Sequence, residues 1–376
     1  MSIAVPAQGT SATRVIVGLS GGVDSAVTAL LLKEQGFEVQ GLFMSNWDDD
    51  DAYCTAAQDF QDARAVAREL DVPLHRVSFA TEYRERVFEH FLHEQAAGRT
   101  PNPDVLCNRE IKFGVALDYV RRLGGACFAT GHYARVLRTA DGVELHKARD
   151  PTKDQSYFLH AVDLSQLALT LMPLGELLKS EVRERARRAG LPVFDKPDST
   201  GICFIGERPF REFLSRFLAP QSGPIESAEG EILGTHQGLA FYTLGQREGL
   251  QIGGRRGRPE QPWYVVAKDG RRNTLVVAQG HDHPLLRSGA LTTERIHWLV
   301  QPRTEPFRCL VKVRYRQKDQ SALCEPLPDG TARIVFDDAQ RAVTPGQYAV
   351  IYEADRCLGG GVIATTWPRV AGQAAA

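Results

Sequence analysis

Three stretches of this 376-residue chain carry residue types at spacings that could do chemistry. The first, Val15 to Ser25, reads V-I-V-G-L-S-G-G-V-D-S. A short apolar run ends in Gly18-Leu19-Ser20-Gly21-Gly22, and a helical stretch follows with Val23, Val27, Leu30 and Leu31 at core-facing spacing. Strand, glycine-rich turn and helix aim several backbone N–H groups at one point above a helix N-terminus. Unpaired amides and the helix dipole both attract phosphate there. Gly21 and Gly22 admit close approach of the anion, and Ser20 and Ser25 add hydroxyls. Asp24 is a carboxylate inside an anion site, which a magnesium contact explains, direct or through water. No lysine precedes Ser25, so this is not the G-x-x-x-x-G-K-[ST] loop of kinases and GTPases.

The second stretch is Thr100-Pro101-Asn102-Pro103-Asp104-Val105-Leu106-Cys107-Asn108. Its two prolines predict an exposed, stiff loop that is neither helix nor strand. Asp104 and Cys107 can face one small volume across a tight turn. Cys107 would sit just ahead of a helix capped by Asn108, with Arg109 and Lys112 nearby, a setting that lowers a thiol pKa. The third stretch, Asp198 to Gly206, holds Cys203 between glycines. Its apolar flanks leave a tucked-in thiol and a working thiol equally open. Cys54, Cys127, Cys309, Cys324 and Cys357 read as buried small hydrophobes. A phosphate loop beside two non-structural thiols suggests sulfur chemistry: one thiol carries a persulfide and the other completes a disulfide as sulfur departs.

The elements that must position these groups alternate. Val39–Met44 and Leu74–Phe79 read as strands; Thr55–Leu70, Glu82–Ala97 and Arg109–Leu123 read as helices. Cys127–Thr130 is a further short apolar run, ending at Gly131. This rhythm predicts an α/β domain with a mostly parallel sheet and ligands above the carboxyl ends of its strands, where Met44 and Gly131 lie. A short amphipathic helix at Phe210–Leu218 opens a glycine-rich region. From about Leu291 short alternating strands (Arg308–Tyr315, Thr331–Phe336, Tyr348–Tyr352) predict a small β-barrel.

Composition narrows the classes. The 45 basic and 46 acidic residues balance, so a polyanion partner must meet local patches. No apolar run approaches membrane-spanning length and the N-terminus lacks a signal-peptide pattern. Seven cysteines without a C-x-x-C pair argue against a zinc site and a disulfide framework. They favour a reducing compartment, and the expected location is cytoplasmic.

The run S-G-G-V-D-S resembles the pyrophosphate-binding loop of the ATP pyrophosphatases, which cleave ATP between its α- and β-phosphates. With it stand F-M-S-N-W-D at 43–48, T-P-N-P-D-V-L-C-N-R-E-I-K-F-G at 100–114, A-T-G-H-Y-A at 129–134, K-D-Q-S-Y-F-L at 153–159 and S-T-G-I-C-F-I-G at 199–206. T-L-G-Q-R at 243–247, V-R-Y-R-Q at 313–317 and V-T-P-G-Q at 343–347 extend the match. Together they resemble the bacterial tRNA 2-thiouridylase family over nearly the whole chain. Departures are few: Ser45 stands where lysine is common in the family, and Gly257–Gln261 is idiosyncratic.

The resemblance implies a parallel-sheet domain of the adenine-nucleotide alpha hydrolase type at 1–208, a small central domain at 209–283 and a β-barrel at 284–376. It implies ATP with magnesium as cofactors and tRNA as substrate, with the wobble uridine of lysine, glutamate and glutamine tRNAs thiolated at the 2-position. Gly18, Leu19, Ser20, Gly21, Gly22, Val23, Asp24, Ser25, Met44 and Gly131 would hold the nucleotide. Cys203 would carry a persulfide loaded by a sulfur-relay protein or cysteine desulfurase. Cys107 would attack that persulfide or the activated base, with Asp104 as general acid/base. Asn102, Pro103 and Asp104 would meet the flipped-out base. His132, Lys153, Asp154, Gln155, Arg314, Tyr315 and Gln347 carry over as tRNA contacts.

Independent signs of RNA binding are weaker. Arg255, Arg256, Arg258, Arg271 and Arg272 cluster, and Lys312 to Arg316 interleaves cations with an aromatic, which suits phosphate contact and stacking. A solvated strand face gives the same pattern. Glu181 with Arg185 and Glu184 with Arg188 are i,i+4 pairs whose charge serves the helix itself. Two other classes remain: an adenylating ligase with a nitrogen nucleophile, which leaves both thiols idle, and a tRNA-binding module, which needs no phosphate loop.

Overall fold

The computed structural model describes residues 13–47, 56–198, 210–253 and 261–368. These form two units. The first comprises 1–88, 103–207 and 355–358; the second 89–102, 208–354 and 359–376.

The first unit is built on a five-stranded sheet. Its strands are β1 (Arg14–Gly18), β2 (Glu38–Ser45), β3 (Leu74–Ser78), β4 (Cys127–Ala129) and, past the β5–β6 hairpin (Ala134–Thr139, Gly142–Lys147), β7 (Thr170–Leu171). The order is β3-β2-β1-β4-β7, and every pairing is parallel. Val15, Ile16 and Val17 are fully buried, which explains why β1 reads as an unbroken apolar run. Helices α1 (Val23–Glu34) and α2 (Ala56–Glu69) follow β1 and β2. Val23 and Val27 of α1 enter the core, while Leu30 and Leu31 pack against it half-buried. Successive strands run one way from β1 to β3, and β4 lies on the other side of β1. The chain therefore reverses between β1 and β4, the place where open α/β sheets gather ligands. The loops after those two strands hold Gly18–Gly22 and Gly131.

The largest departure from expectation is the proline loop. Pro103–Leu106 is helical, and the helix continues as a π-helical stretch, Cys107–Val115, into Ala116–Arg122. Proline is compatible with a first helical turn, where its missing N–H is no loss. Buried Val105, Leu106, Ile111 and Phe113 supply the apolar face that draws the segment inward. Asn108 therefore lies within the helix and is not its cap. The segment expected from Glu82 starts earlier, at Ala80–Tyr83, and also passes through a π-helical turn, Arg84–Phe88.

In the second unit, Phe210–Ser215 is a short helix. Strands β8 (Gly223–Ser227), β9 (Ile232–His236), β10 (Trp263–Asp269) and β11 (Thr274–Gln279) form one sheet in the order β10-β11-β8-β9. The barrel follows, with β12 (Arg287–Thr293), β13 (His297–Trp298), β14 (Phe307–Lys312), β15 (Gln320–Pro326), β16 (Ala332–Arg341), β17 (Tyr348–Glu353) and β18 (Arg356–Trp367). Its order is β12-β16-β15-β14-β17-β18, and β12 also pairs with β18, which closes the ring. Burial alternates along β16 from Ala332 to Phe336, as a closed barrel with one interior face requires. The strand expected to reach Tyr315 ends at Lys312, so Arg314 and Tyr315 stand in the turn beyond it. Among the described residues no helix is long and apolar enough to cross a membrane.

Candidate nucleotide and thiol site

The phosphate loop is closed by its own serines. Ser25 Oγ donates to Gly22 O at 2.9 Å and accepts from Ser20 N at 3.2 Å. Gly22 begins α1 in extended backbone with no side-chain cap. Gly21 has φ +78°, and a Cβ there would meet Asp59 O of α2 at 2.3 Å. A Cβ on Gly131 would meet Ser25 N at 2.9 Å, so the loop after β4 lies directly against the start of α1. A Cβ on Gly18 would sit 3.6 Å from Met44 Cε. The structure thus places Gly18 beside Met44, and Gly131 against Asp24 and Ser25. Leu19 and Val23 are buried and hold the loop from below.

Asp24 has partners that the sequence did not announce. Lys179 Nζ donates to both carboxylate oxygens at 2.7 Å, and Tyr133 Oη donates to Oδ1 at 2.8 Å. Burial first, then the charge and hydrogen bond of Asp24, push the Tyr133 hydroxyl far above its ordinary pKa, so it stays a donor. Lys179 also meets Asp198 at 2.7 Å, which Lys153 and Arg183 join at 2.7 and 2.8 Å. Burial pushes the Asp198 carboxyl up, but hydrogen bonds and charge from Lys153 and Lys179 outweigh it and hold it at about 2. Lys196 bonds Gly21 O at 3.1 Å, Asp59 at 2.8 Å and Asp62, pinning the loop to α2. Lys179 and Lys196 are not among the residues singled out in the sequence, and Tyr133 and Asp198 stand there only as members of longer stretches, with no role of their own. Their only signal was proximity to motifs: Tyr133 within A-T-G-H-Y-A, and Asp198 just before S-T-G-I-C-F-I-G.

Cys107 and Asp104 share the helix that starts at Pro103. Cys107 is 1% exposed, in the second turn, so a helix N-terminus does not bear on its thiol directly. Burial pushes the Asp104 carboxyl up, opposed by the charge of Lys112. His132 is buried and held far below its ordinary pKa, by burial first and then by Lys112. Its Nδ1 lies 2.8 Å from Thr130 Oγ1. A neutral imidazole cannot serve as a phosphate-binding cation. Cys203 lies outside the described residues, as do Cys54 and Arg255, Arg256 and Arg258. Cys127, Cys309, Cys324 and Cys357 are buried, and burial pushes the Cys309 and Cys324 thiols up to about 12.

The remaining sequence-singled residues are engaged within their own units. Asp154 accepts from Ala148 N at 3.1 Å and from Ser156 N at 3.2 Å, and Gln155 Oε1 accepts from Tyr133 N at 2.9 Å. Both therefore shape the loop that presents Lys153. In the second unit Arg314 Nη2 donates to Leu244 O, Ala342 O and Thr344 Oγ1 at 3.0–3.2 Å. Gln347 Nε2 donates to Thr100 O at 2.8 Å. Asn102 follows that anchored residue, and Pro103 is buried at the helix start. Arg272 is paired with Asp269 and Glu226, at 2.7 and 3.0 Å. Glu184 and Arg188 form the expected pair at 2.6 Å, whereas Glu181 reaches Leu178 N and Arg149.

The chain matches known families along most of its length. The family described as tRNA methyl transferase HUP domain matches residues 13–207. That described as tRNA methyl transferase PRC-barrel domain matches 211–279, and the aminomethyltransferase beta-barrel domain matches 288–363. The chain is 55% identical over 367 residues to the tRNA-specific 2-thiouridylase MnmA of Marinobacter nauticus, covering 96% of this chain and 93% of that protein. It is 56% identical over 354 residues to the protein of the same name from Methylobacillus flagellatus, covering 93% and 98%. Among solved structures, a 4-thiouridine synthetase–RNA complex with bound ATP shares 18% identity with a TM-score of 0.36, over 54% of this chain and 50% of that one. A likeness at that level supports no functional statement.

Proposed function

The chain belongs to the family of tRNA-specific 2-thiouridylases, which are tRNA sulfurtransferases, and on that premise we propose that it thiolates the wobble uridine of lysine, glutamate and glutamine tRNAs in two steps, the first driven by ATP. The observation that carries the reading is the loop gathered at the reversal between β1 and β4, with the Asp104–Cys107 helix in the same unit.

In the first step ATP binds with its phosphates over Gly18–Ser25. The 2-carbonyl oxygen of the base bonds to the α-phosphorus, the bond to the bridging oxygen breaks, and pyrophosphate leaves. Asp24 would hold a magnesium ion, which takes one or two carboxylates and keeps its waters. A dedicated protein cage is not needed for that, and among the described residues no cluster of three or more His, Cys, Asp or Glu forms one. Bound there, the ion would neutralise phosphate charge.

In the second step the terminal sulfur of a persulfide on Cys203 becomes bonded to C2, and AMP departs with the former carbonyl oxygen. Cys107 attacks the inner sulfur of Cys203, or the activated base. In the first case a Cys107–Cys203 disulfide remains, and an external thiol must reduce it. Asp104, whose carboxyl burial has pushed up, is suited to hold and return a proton beside the thiol. A sulfur-relay protein or cysteine desulfurase reloads Cys203. Asn102, Pro103, His132, Lys153, Asp154, Gln155, Arg314, Tyr315 and Gln347 contribute to tRNA binding, several of them by shaping loops. The reading places the enzyme in the cytoplasm and divides the chain at 208 and 283.

The test is to incubate the protein with ATP, a sulfur donor and unmodified tRNA. Pyrophosphate, AMP and 2-thiouridine should appear in equal amounts, all requiring tRNA. Pyrophosphate formed with ammonia incorporated in place of sulfur would return the chain to the nitrogen-ligase class.

A further inference from the structure

We propose that a cleft between α2 and the β3 edge of the sheet binds the sugar–phosphate backbone of the tRNA, away from the target nucleotide; the proposal rests on tRNA as the substrate. The cleft, about 360 Å³ in volume, is lined by Arg64 and Arg68 of α2 and by Val72 and Leu74 where the chain enters β3. Arg76 of β3 joins them through a shared ring. Its guanidinium carbon lies 4.7 Å from the centre of the Phe60 ring, and that of Arg64 lies 6.0 Å from the same centre. Phe60 is fixed in turn by Phe43, their ring centres 5.1 Å apart. All three arginines are exposed, and β3 is the last strand on its side of the sheet.

These cations stand together without counter-charge. Among the described residues none of the three makes an ion pair, and Arg64 has a single hydrogen bond, to Gln61 Oε1 at 3.3 Å. The acids that precede them on α2, Asp59 and Asp62, are both taken by Lys196. Glu69 and Asp71 stand beside Arg68 in the chain and do not pair with it. In the second unit, by contrast, Arg272, Arg308 and Arg333 each hold a carboxylate. Two guanidiniums drawn to one ring repel each other, and Arg64 and Arg68, one turn apart on α2, repel as well. An anion seated among them removes both costs, and the planar fork of a guanidinium fits a phosphate with two parallel hydrogen bonds. The chain has a formal charge of −1, so a polyanion must be held by cations that no carboxylate already neutralises. The position fits a tRNA backbone. Lys196 ties Asp59, near the start of α2, to Gly21 O of the phosphate loop. Arg64 and Arg68 lie about 8 and 14 Å farther along the helix axis, at its rise of about 1.5 Å per residue. A nucleic acid whose base reaches that loop carries phosphates at such distances. Backbone contacts fix register and carry no sequence information, so the cleft holds every substrate tRNA alike.

The experiment uses the full chain, wild type and R64Q/R68Q/R76Q, with unmodified tRNA in filter binding across a salt series. The triple variant should bind tRNA about tenfold or more weakly at physiological salt, and its salt slope should fall by about two to three, one for each lost phosphate contact. Its ATP affinity should be unchanged. A control, R121Q/R187Q/R188Q, removes the same charge from exposed arginines that already pair with Asp118 and Glu184, and should keep the wild-type slope. An equal fall in both variants would make the effect one of net charge and overturn the proposal, as would a wild-type slope in R64Q/R68Q/R76Q. If that variant fails to fold by circular dichroism, R68E alone decides: its slope should fall by about one, and a wild-type slope overturns the proposal. Wild-type tRNA binding with slower loading of sulfur from a donor protein would also overturn it, giving the cleft to an acidic protein surface. Wild-type protein that binds no tRNA would instead remove the substrate reading itself.

Discussion

Two carboxylates of the first unit face opposite conditions. Asp198 lies among three cations and is held at about 2, in spite of its burial. Asp104 lies on a buried helix where desolvation outweighs the opposing charge of Lys112, and its carboxyl is pushed up. The first is built to stay an anion and organise positive charge next to the phosphate loop. The proposed mechanism uses the second to hold a proton for the thiol of Cys107. Environments that push two similar groups apart assign them to different tasks. Nucleotide activation and sulfur transfer should therefore fail separately under mutation.

The largest effects should fall on sulfur. Cys203→Ser and Cys107→Ser should each lower 2-thiouridine formation about 1,000-fold or more, the scale of removing a nucleophile. Intact-mass measurement after treatment with a sulfur donor should show one added sulfur on Cys107→Ser and none on Cys203→Ser. The reverse result would exchange the two roles.

Asp24→Ala should slow pyrophosphate release about 100-fold through lost charge organisation. Filter binding should find the tRNA affinity within about twofold of wild type. A normal release rate would detach Asp24 from the chemistry.

Asp104→Asn should lower the sulfur-transfer rate about 100-fold, within the usual range for general acid/base groups. Its stability should change in the opposite sense. A carboxyl with a raised folded pKa contributes stability below its unfolded pKa and loses it as pH rises through the folded value. The variant should therefore melt higher than wild type at neutral pH, with the gain vanishing below the ordinary carboxylate range. Melting curves that differ equally at all pH values would refute that environment for Asp104.

The smallest effect belongs to the second unit. Arg314→Ala removes a guanidinium shared by three acceptors, which costs about 1–3 kcal/mol of stability when such groups are left unsatisfied. Paired with Tyr315→Ala, it should also flatten the salt dependence of tRNA binding by about one phosphate contact. An unchanged salt slope at a lowered melting temperature would make Arg314 a strut alone.

The comparison also explains what was legible. The phosphate loop was readable because its parts are consecutive: a buried strand, glycines at a turn and the first turn of α1 must adjoin for the geometry to exist. The parallel sheet was readable from short apolar runs that take turns with helical stretches, and the barrel from short alternating strands. The Lys179–Asp24 contact was invisible because it depends on a helix folding back onto α1 from 155 residues away. The local setting of Cys107 was misjudged because the prolines were weighed as breakers. Local chemistry at Pro103 permits helix, and the apolar stripe from Val105 to Phe113 decides the matter. Arg314 was assigned to a strand that stops two residues earlier, as an alternating pattern does not mark its own end.

The most direct test of two separable steps is single-turnover pyrophosphate release by Cys107→Ser with unmodified tRNA. The account predicts a burst close to one pyrophosphate per enzyme at the wild-type rate, with no 2-thiouridine formed. A burst abolished together with thiolation would contradict it, because nucleotide activation would then depend on the thiol.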